Sequence, residues 1–121
     1  MRNPVIHLEL HTTDQARASE LYAGLLGWRT KPIRGARSSY MSLGLGDRCG
    51  GGIVECGTPR AMWLPYVAVD RIDEVTDRAG RMGAQIVLEP REGAVGFRSV
   101  IETPEGGEIA LWQAKERRLR A

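Results

Sequence analysis

The chain has 121 residues, 42% hydrophobic and 26% charged, with 17 basic and 15 acidic side chains and a net charge of +2. That balance excludes a disordered tail protein and leaves room for one domain, or for two small halves sharing a core. No basic stripe with interleaved aromatics occurs and no apolar run approaches the ~20 residues that span a bilayer, so neither nucleic acid nor a membrane is expected as a partner.

From residue 5 the sequence alternates, with Ile6, Leu8 and Leu10 on one side and His7, Glu9 and His11 on the other. A period of two is that of a β-strand with one face on a core, so the polar row either meets water or lines a site. Met-Arg-Asn-Pro leads straight into this strand, and no signal peptide is expected. Thr12, Thr13 and Asp14 offer a helix N-cap, and Ala16, Leu21, Tyr22, Leu25 and Leu26 form the apolar stripe of a helix that Gly27 stops. Trp28–Ile33 reads as a short strand weakened by Pro32, and Arg34-Gly35-Ala36-Arg37 as a turn. Ser39–Leu45 is a strand closed by the Gly46-Asp47 turn, and Gly51–Cys56 is a strand that starts on glycines. Residues 57–61, containing Gly57-Thr58-Pro59-Arg60, are the linker.

The pattern then restarts. Trp63–Val69 is a strand, and Asp70 is expected to cap a helix running through Met82, with Val75, Ala79 and Met82 as its apolar stripe and Gly83 as its stop. Ala84–Leu88 is a strand ending at Pro90. Phe97–Thr103 and Glu108–Gln113 are strands joined by the turn Pro104-Glu105-Gly106-Gly107. Residues 114–121 form a basic tail with Lys115, Arg117, Arg118 and Arg120. Cys49 and Cys56 flank one extended segment, which sets them roughly 20 Å apart. A disulfide spans no more than ~7 Å, so two free thiols and a reducing cytoplasm are expected.

A strand-helix-strand-strand-strand unit is thus written twice. A shift of 56 lays Ala23-Gly24-Leu25-Leu26-Gly27 on Ala79-Gly80-Arg81-Met82-Gly83 and Asp14 on Asp70. Each unit alone is too short to bury its sheet.

This order, with His7-Leu-Glu-Leu-His-Thr-Thr-Asp14, Leu21-Tyr22 before Leu26-Gly27-Trp28, Tyr66-Val-Ala-Val-Asp70, and Thr103-Pro104-Glu105-Gly106 before Ile109-Ala-Leu-Trp112, resembles the vicinal oxygen chelate superfamily. That superfamily contains glyoxalases, extradiol dioxygenases and bleomycin-resistance proteins, and the resemblance is to its single-domain, glyoxalase-like bacterial branch. It implies an α+β fold for the single domain 1–121. Two βαβββ modules, residues 4–56 and 62–113, would form a U-shaped, mostly antiparallel, curved eight-stranded sheet with helices on its outer face. His7, Glu9 and His11 would then point into the cavity.

In metal-using members four inner-face positions supply the ligands. His7 matches the first. The others fall on Leu64 (Trp63 if the register slips), Ala110 and near Val54, with Glu55 adjacent on the other face. Leucine, alanine and valine offer no lone pair, so no metal or other cofactor is expected. His7 and Glu9, about 6.6 Å apart along one strand face, could share an ion, but two ligands make a weak site.

A cavity without metal binds through apolar walls and a few polar groups. The residues that would hold a ligand are His7, Glu9, His11, Tyr66, Glu108 and Trp112, and aromatics with a polar edge suit a planar organic or antibiotic-like compound. The reading is a small-molecule-binding protein of the glyoxalase and bleomycin-resistance type. The alternative is a metal-independent enzyme, a lyase, isomerase or hydroxylase of natural-product or aldehyde metabolism, with His7 and Glu9 as catalytic acid and base. A metal-dependent glyoxalase or dioxygenase ranks below both. The resemblance and the sheet edges together predict a homodimer.

Overall fold

The computed structural model describes residues 2–33 and 40–115. The turn expected at Arg34–Arg37, Ser39 of the third strand, and the basic tail beyond Lys115 lie outside them. The chain packs as two compact units, Val5–Pro65, and Tyr66 onward together with the residues up to Pro4. Among the described residues no helix is long and apolar enough to cross a membrane.

In the first unit β1 (Val5–Thr12) is followed by α1 (Gln15–Leu26), β2 (Thr30–Pro32), β3 (Tyr40–Leu43) and β4 (Gly50–Glu55). The strand order is β2-β3-β4-β1, with β4 parallel to β1 and antiparallel to β3. The expected cap holds: Asp14 accepts a hydrogen bond from the Arg17 amide at 3.1 Å, and Gly27 ends the helix in the left-handed region at φ 71°. Leu10, Leu43 and Ile53 form the buried core, against which Ala18, Tyr22, Trp28 and Trp63 pack. The three rings make one cluster, Tyr22 lying 5.5 Å from Trp28 and 5.6 Å from Trp63 between centroids.

Of the apolar stripe expected of α1, only Tyr22 faces this core. Leu21, Leu25 and Leu26 are 57%, 69% and 51% exposed, and Ala16 is exposed as well. Rotation of the helix is set at its first turn, where Gln15 donates from Nε2 to the Ile53 carbonyl at 2.8 Å and from its amide to Glu55 Oε1 at 3.0 Å. With Gln15 facing the sheet, helical spacing brings Ala18 and Tyr22 inward and swings Leu21 and Leu25 away.

The second unit repeats the order, with β5 (Met62–Ala68), whose first residues belong to the first unit, then α2 (Ile72–Arg81), β6 (Gln85–Glu92), β7 (Gly96–Glu102) and β8 (Glu108–Ala114). Its strand order is β5-β8-β7-β6, with β8 parallel to β5 and antiparallel to β7. The fold is therefore α+β, a βαβββ unit written twice. Val69, Ile72, Ile101 and Leu111 make the core, supported by Val75 and Ala79, and a hydroxyl pair, Thr76 and Ser99, is buried at 2.9 Å.

Three expectations fail in this unit. Asp70 does not cap α2, because the helix begins two residues beyond it. Its first amide, that of Ile72, is instead satisfied by Gln113 Oε1 on β8 at 2.8 Å. Met82 is 74% exposed because α2 ends one residue before it. β6 does not stop before Pro90 but runs through it to Glu92. It is the last strand in the order and carries register shifts on both sides of Leu88, so a residue without an amide proton is tolerated there. Both cysteines are free, as expected.

Two glycines separate backbone freedom from packing. A Cβ on Gly24, in α1, would meet nothing within 4 Å, whereas one on Gly51 would sit 2.6 Å from the Leu43 carbonyl oxygen and 2.8 Å from the Leu45 side chain. Gly24→Ala should raise stability by about 0.5–1 kcal/mol. Gly51→Ala should lower it by about 1–3 kcal/mol, so the two variants move the urea midpoint in opposite directions.

Candidate functional site

The pleat sorts each strand into two faces. In the first unit Leu10, Leu43 and Ile53 turn toward α1, so the even-numbered residues of β3 and β4 and the odd-numbered residues of β1 share the opposite face. His7, Glu9 and His11 lie there together, as the alternation predicts. Glu9 is only 7% exposed. One carboxylate oxygen, Oε1, is 2.9 Å from His11 Nε2, and the other, Oε2, is 3.7 Å from His7 Nε2. The same His7 nitrogen lies 3.2 Å from Tyr40 Oη, with the proton on one side or the other according to the histidine tautomer.

A carboxylate removed from water needs partners nearby: His11 meets it at hydrogen-bond distance, and His7, itself bonded to the Tyr40 phenol, stands within ion-pairing distance. Space for that chain comes from β4. A Cβ on Gly50 would be 2.7 Å from His7 Nδ1, and one on Gly52 would collide with the Tyr40 hydroxyl. Tyr40 was not among the residues singled out from sequence. The signal was present: it starts β3 opposite Val54, in the neighbourhood of two glycines that leave its side chain room to reach β1.

In the second unit Ile101, Leu111 and Gln113 turn toward α2, and Tyr66, Arg98, Ala110 and Trp112 share the other face. Tyr66 and Trp112 come together, ring centroids 6.5 Å apart, and Arg98 Nη1 donates to Tyr66 Oη at 3.1 Å. Gly96 makes way for the Trp112 ring as Gly52 does for Tyr40. Glu108 shares this face but stands opposite Glu102 at the other end of β8, four residues from Trp112. Arg98, like Tyr40, was missed by sequence reasoning, since a lone arginine in a strand has no spacing signature.

The internal repeat can now be read residue by residue. Glu9 pairs with Gly52 as Tyr66 pairs with Ala110, and Tyr40 faces Val54 as Arg98 faces Trp112. His7, Glu9 and His11 thus correspond to Leu64, Tyr66 and Ala68. By this register the β4 counterpart of Ala110 is Gly52, not Val54, and glycine likewise offers no donor. Glu55 lies on the helix side, bonded to the Gln15 amide. The four family positions therefore carry His7, Gly52, Leu64 and Ala110, a set with one ligating side chain, which does not fit a divalent ion. Among the described residues no group of three or more His, Cys, Asp or Glu side chains is placed to hold a metal.

No family model matches the chain. It is 33% identical over 115 residues to CFP32 of Mycobacterium tuberculosis, which carries the provisional name of a glyoxylase, and the match covers 88% of this chain and 44% of that protein. It is 26% identical over 124 residues to DnrV, an anthracycline biosynthesis protein of Streptomyces peucetius, covering 87% of this chain and 45% of that one. The chain thus spans under half the length of these relatives. Among solved structures, a hypothetical protein of Bacillus halodurans superposes with a TM-score of 0.70 at 15% identity, covering 99% and 100% of the two chains. Methylmalonyl-CoA epimerase of Mycobacterium tuberculosis does so at 0.62 and 16%, covering 93% and 88%.

If Glu9 depends on its imidazole partners, His11→Ala should cost about 1–3 kcal/mol in urea denaturation. A double-mutant cycle with Glu9→Gln should show a coupling of about 0.5–3 kcal/mol, and strictly additive losses would contradict the hydrogen bond.

Proposed function

Because the chain belongs to the vicinal oxygen chelate superfamily, we propose that it is a small-molecule-binding module of the glyoxalase and bleomycin-resistance kind, taking a planar organic ligand without a resident metal. The carrying observation is the composition of the helix-free strand faces. The first unit offers a buried carboxylate braced by two imidazoles and a phenol. The second offers two adjacent aromatic rings with a guanidinium at their edge. Rings supply stacking area, and directed polar groups fix orientation. The name of DnrV supports this ligand class, since anthracyclines are fused-ring compounds. The absence of donors at Gly52, Leu64 and Ala110 supports binding without a metal. The free thiols Cys49 and Cys56 favour a reducing compartment, the cytoplasm.

A second reading rests on the His11–Glu9–His7–Tyr40 chain. Glu9 can orient an imidazole whose Nε2 also meets a phenol, which is the equipment of general acid-base catalysis. On this reading His7 transfers the proton, and Glu9, 3.7 Å from the same Nε2, stabilises the charged imidazolium. Both readings are tested together by screening planar aromatic compounds by thermal shift. A true ligand at about a hundredfold excess over its Kd adds roughly 2.7 kcal/mol of stability, several degrees in Tm. Binding without turnover that survives His7→Ala supports the binding reading. Turnover that survives a chelator and vanishes in His7→Ala replaces it with the enzyme. Activity that needs an added divalent ion overturns both.

We further propose a homodimer that uses the α1 ridge. Leu21, Leu25 and Leu26 are more than half exposed, and contiguous exposed leucines mark an interaction surface. Beside them lies a pocket of about 450 Å³ lined by Leu10, Arg17, Leu21 and Tyr22, large enough for a partner's leucine. In a two-fold pair the ridge of each copy meets the pocket of the other. Light scattering at micromolar concentration should give twice the chain mass, and Leu25→Glu should give the monomer. A wild-type monomer overturns the proposal.

A further inference from the structure

Arg98 sits half-buried on the face that carries Tyr66 and Trp112, and its only partner among the described residues is the neutral Tyr66 hydroxyl, at 3.1 Å. No carboxylate stands within ion-pairing distance of it among the described residues. Glu102, on the same strand face, is four residues away, roughly 13 Å along β7, and it pairs in register with Glu108 rather than reaching Arg98. The other half-buried carboxylate facing this sheet surface is Glu108, at that same far end. A guanidinium carries five donors in a rigid fork, and one is used here. Partial withdrawal of a cation from water without a counter-ion costs free energy, and a strand face that holds its cation beside two aromatic rings is built to receive an anion from outside.

We propose that Arg98 selects the charge of the ligand: the second unit takes a planar aromatic carboxylate, the ring lying against the half-buried Trp112 and the carboxylate paired with the guanidinium, which the buried Tyr66 hydroxyl holds in place. This rests on the binding reading above and narrows it to anionic ligands. The geometry agrees. Arg98 is the direct register partner of Trp112, so the fork and the indole stand side by side across adjacent strands, where a fused-ring acid presents its two features. Gly96, next but one along β7, is what lets the indole lie down against the sheet, since any side chain there would strike it. The first unit fills the corresponding position with Tyr40 and keeps a carboxylate, Glu9, on its own face. An anion is therefore assigned to the unit with Arg98.

The test compares two nearly isosteric probes, 2-naphthoate and 2-naphthamide, by thermal shift and calorimetry on the full chain and on Arg98→Gln and Arg98→Lys. Gln keeps a donor for Tyr66, and the melting temperature without ligand reports whether either variant is folded. The wild type should bind naphthoate about tenfold or more tightly than naphthamide, the size expected of a charge-assisted hydrogen bond. Added salt should weaken the naphthoate alone. Arg98→Gln should erase the difference by weakening the acid and leaving the amide unchanged, and Arg98→Lys should restore part of it. Equal binding of the two probes, or unaltered preference in Arg98→Gln, overturns the charge selection while leaving the binding reading in place. Failure of both probes to bind overturns the two together. If Arg98→Gln is unfolded, the Arg98→Lys preference and its salt dependence decide alone.

Discussion

A carboxylate that has lost nine-tenths of its contact with water must find its hydrogen bonds within the protein, and the first unit is arranged around that requirement. The pleat of β1 puts Glu9 between His7 and His11. The glycines of β4 keep that side of the sheet low enough for His7 and Tyr40 to meet above it. The other side of the same strands is a conventional apolar core under α1. One run of eight residues therefore serves two media, and every alternate side chain answers to a different one.

The duplicated architecture separates scaffold from chemistry. The two units share order, register and the parallel pairing of outer to inner strand, yet the corresponding rows read His7, Glu9, His11 and Leu64, Tyr66, Ala68. The hydrogen-bonding position on the third strand is a phenol in one and a guanidinium in the other. Of the four positions that the family resemblance implies for metal ligands, His7 alone has a donor and the others are Gly52, Leu64 and Ala110, while Tyr66 and Trp112 lie two residues along the same strand faces. A sheet of this kind fixes where side chains point and leaves open what they are.

Much of this was legible in the sequence because it depends on local rules. Alternation over Val5–Thr12 gave the strand and both of its faces. Asp14 and Gly27 bounded α1, and the repeat together with the family resemblance gave the fold class. What was not legible depends on contacts distant in sequence. The helix rotation that exposes Leu21 and Leu25 is set by Gln15 bonding to β4, some forty residues on. The cap of α2 comes from Gln113 rather than from the adjacent Asp70. Tyr40 and Arg98 join their clusters only once β3 and β7 are in register, and the glycines that open β4, read only as a glycine-rich strand start, are the trace of the His7 and Tyr40 side chains that lie across it.

Pro90 has a consequence for solubility. β6 closes one end of its strand order, and the outer rim of a terminal strand is a template on which a foreign chain can hydrogen-bond and begin a fibril. A residue with no amide proton, set among register shifts and followed by Arg91 and Glu92, interrupts that template with a missing donor, a twist and two charges. The irregularity that made β6 hard to delimit is thus a guard against uncontrolled growth from that rim.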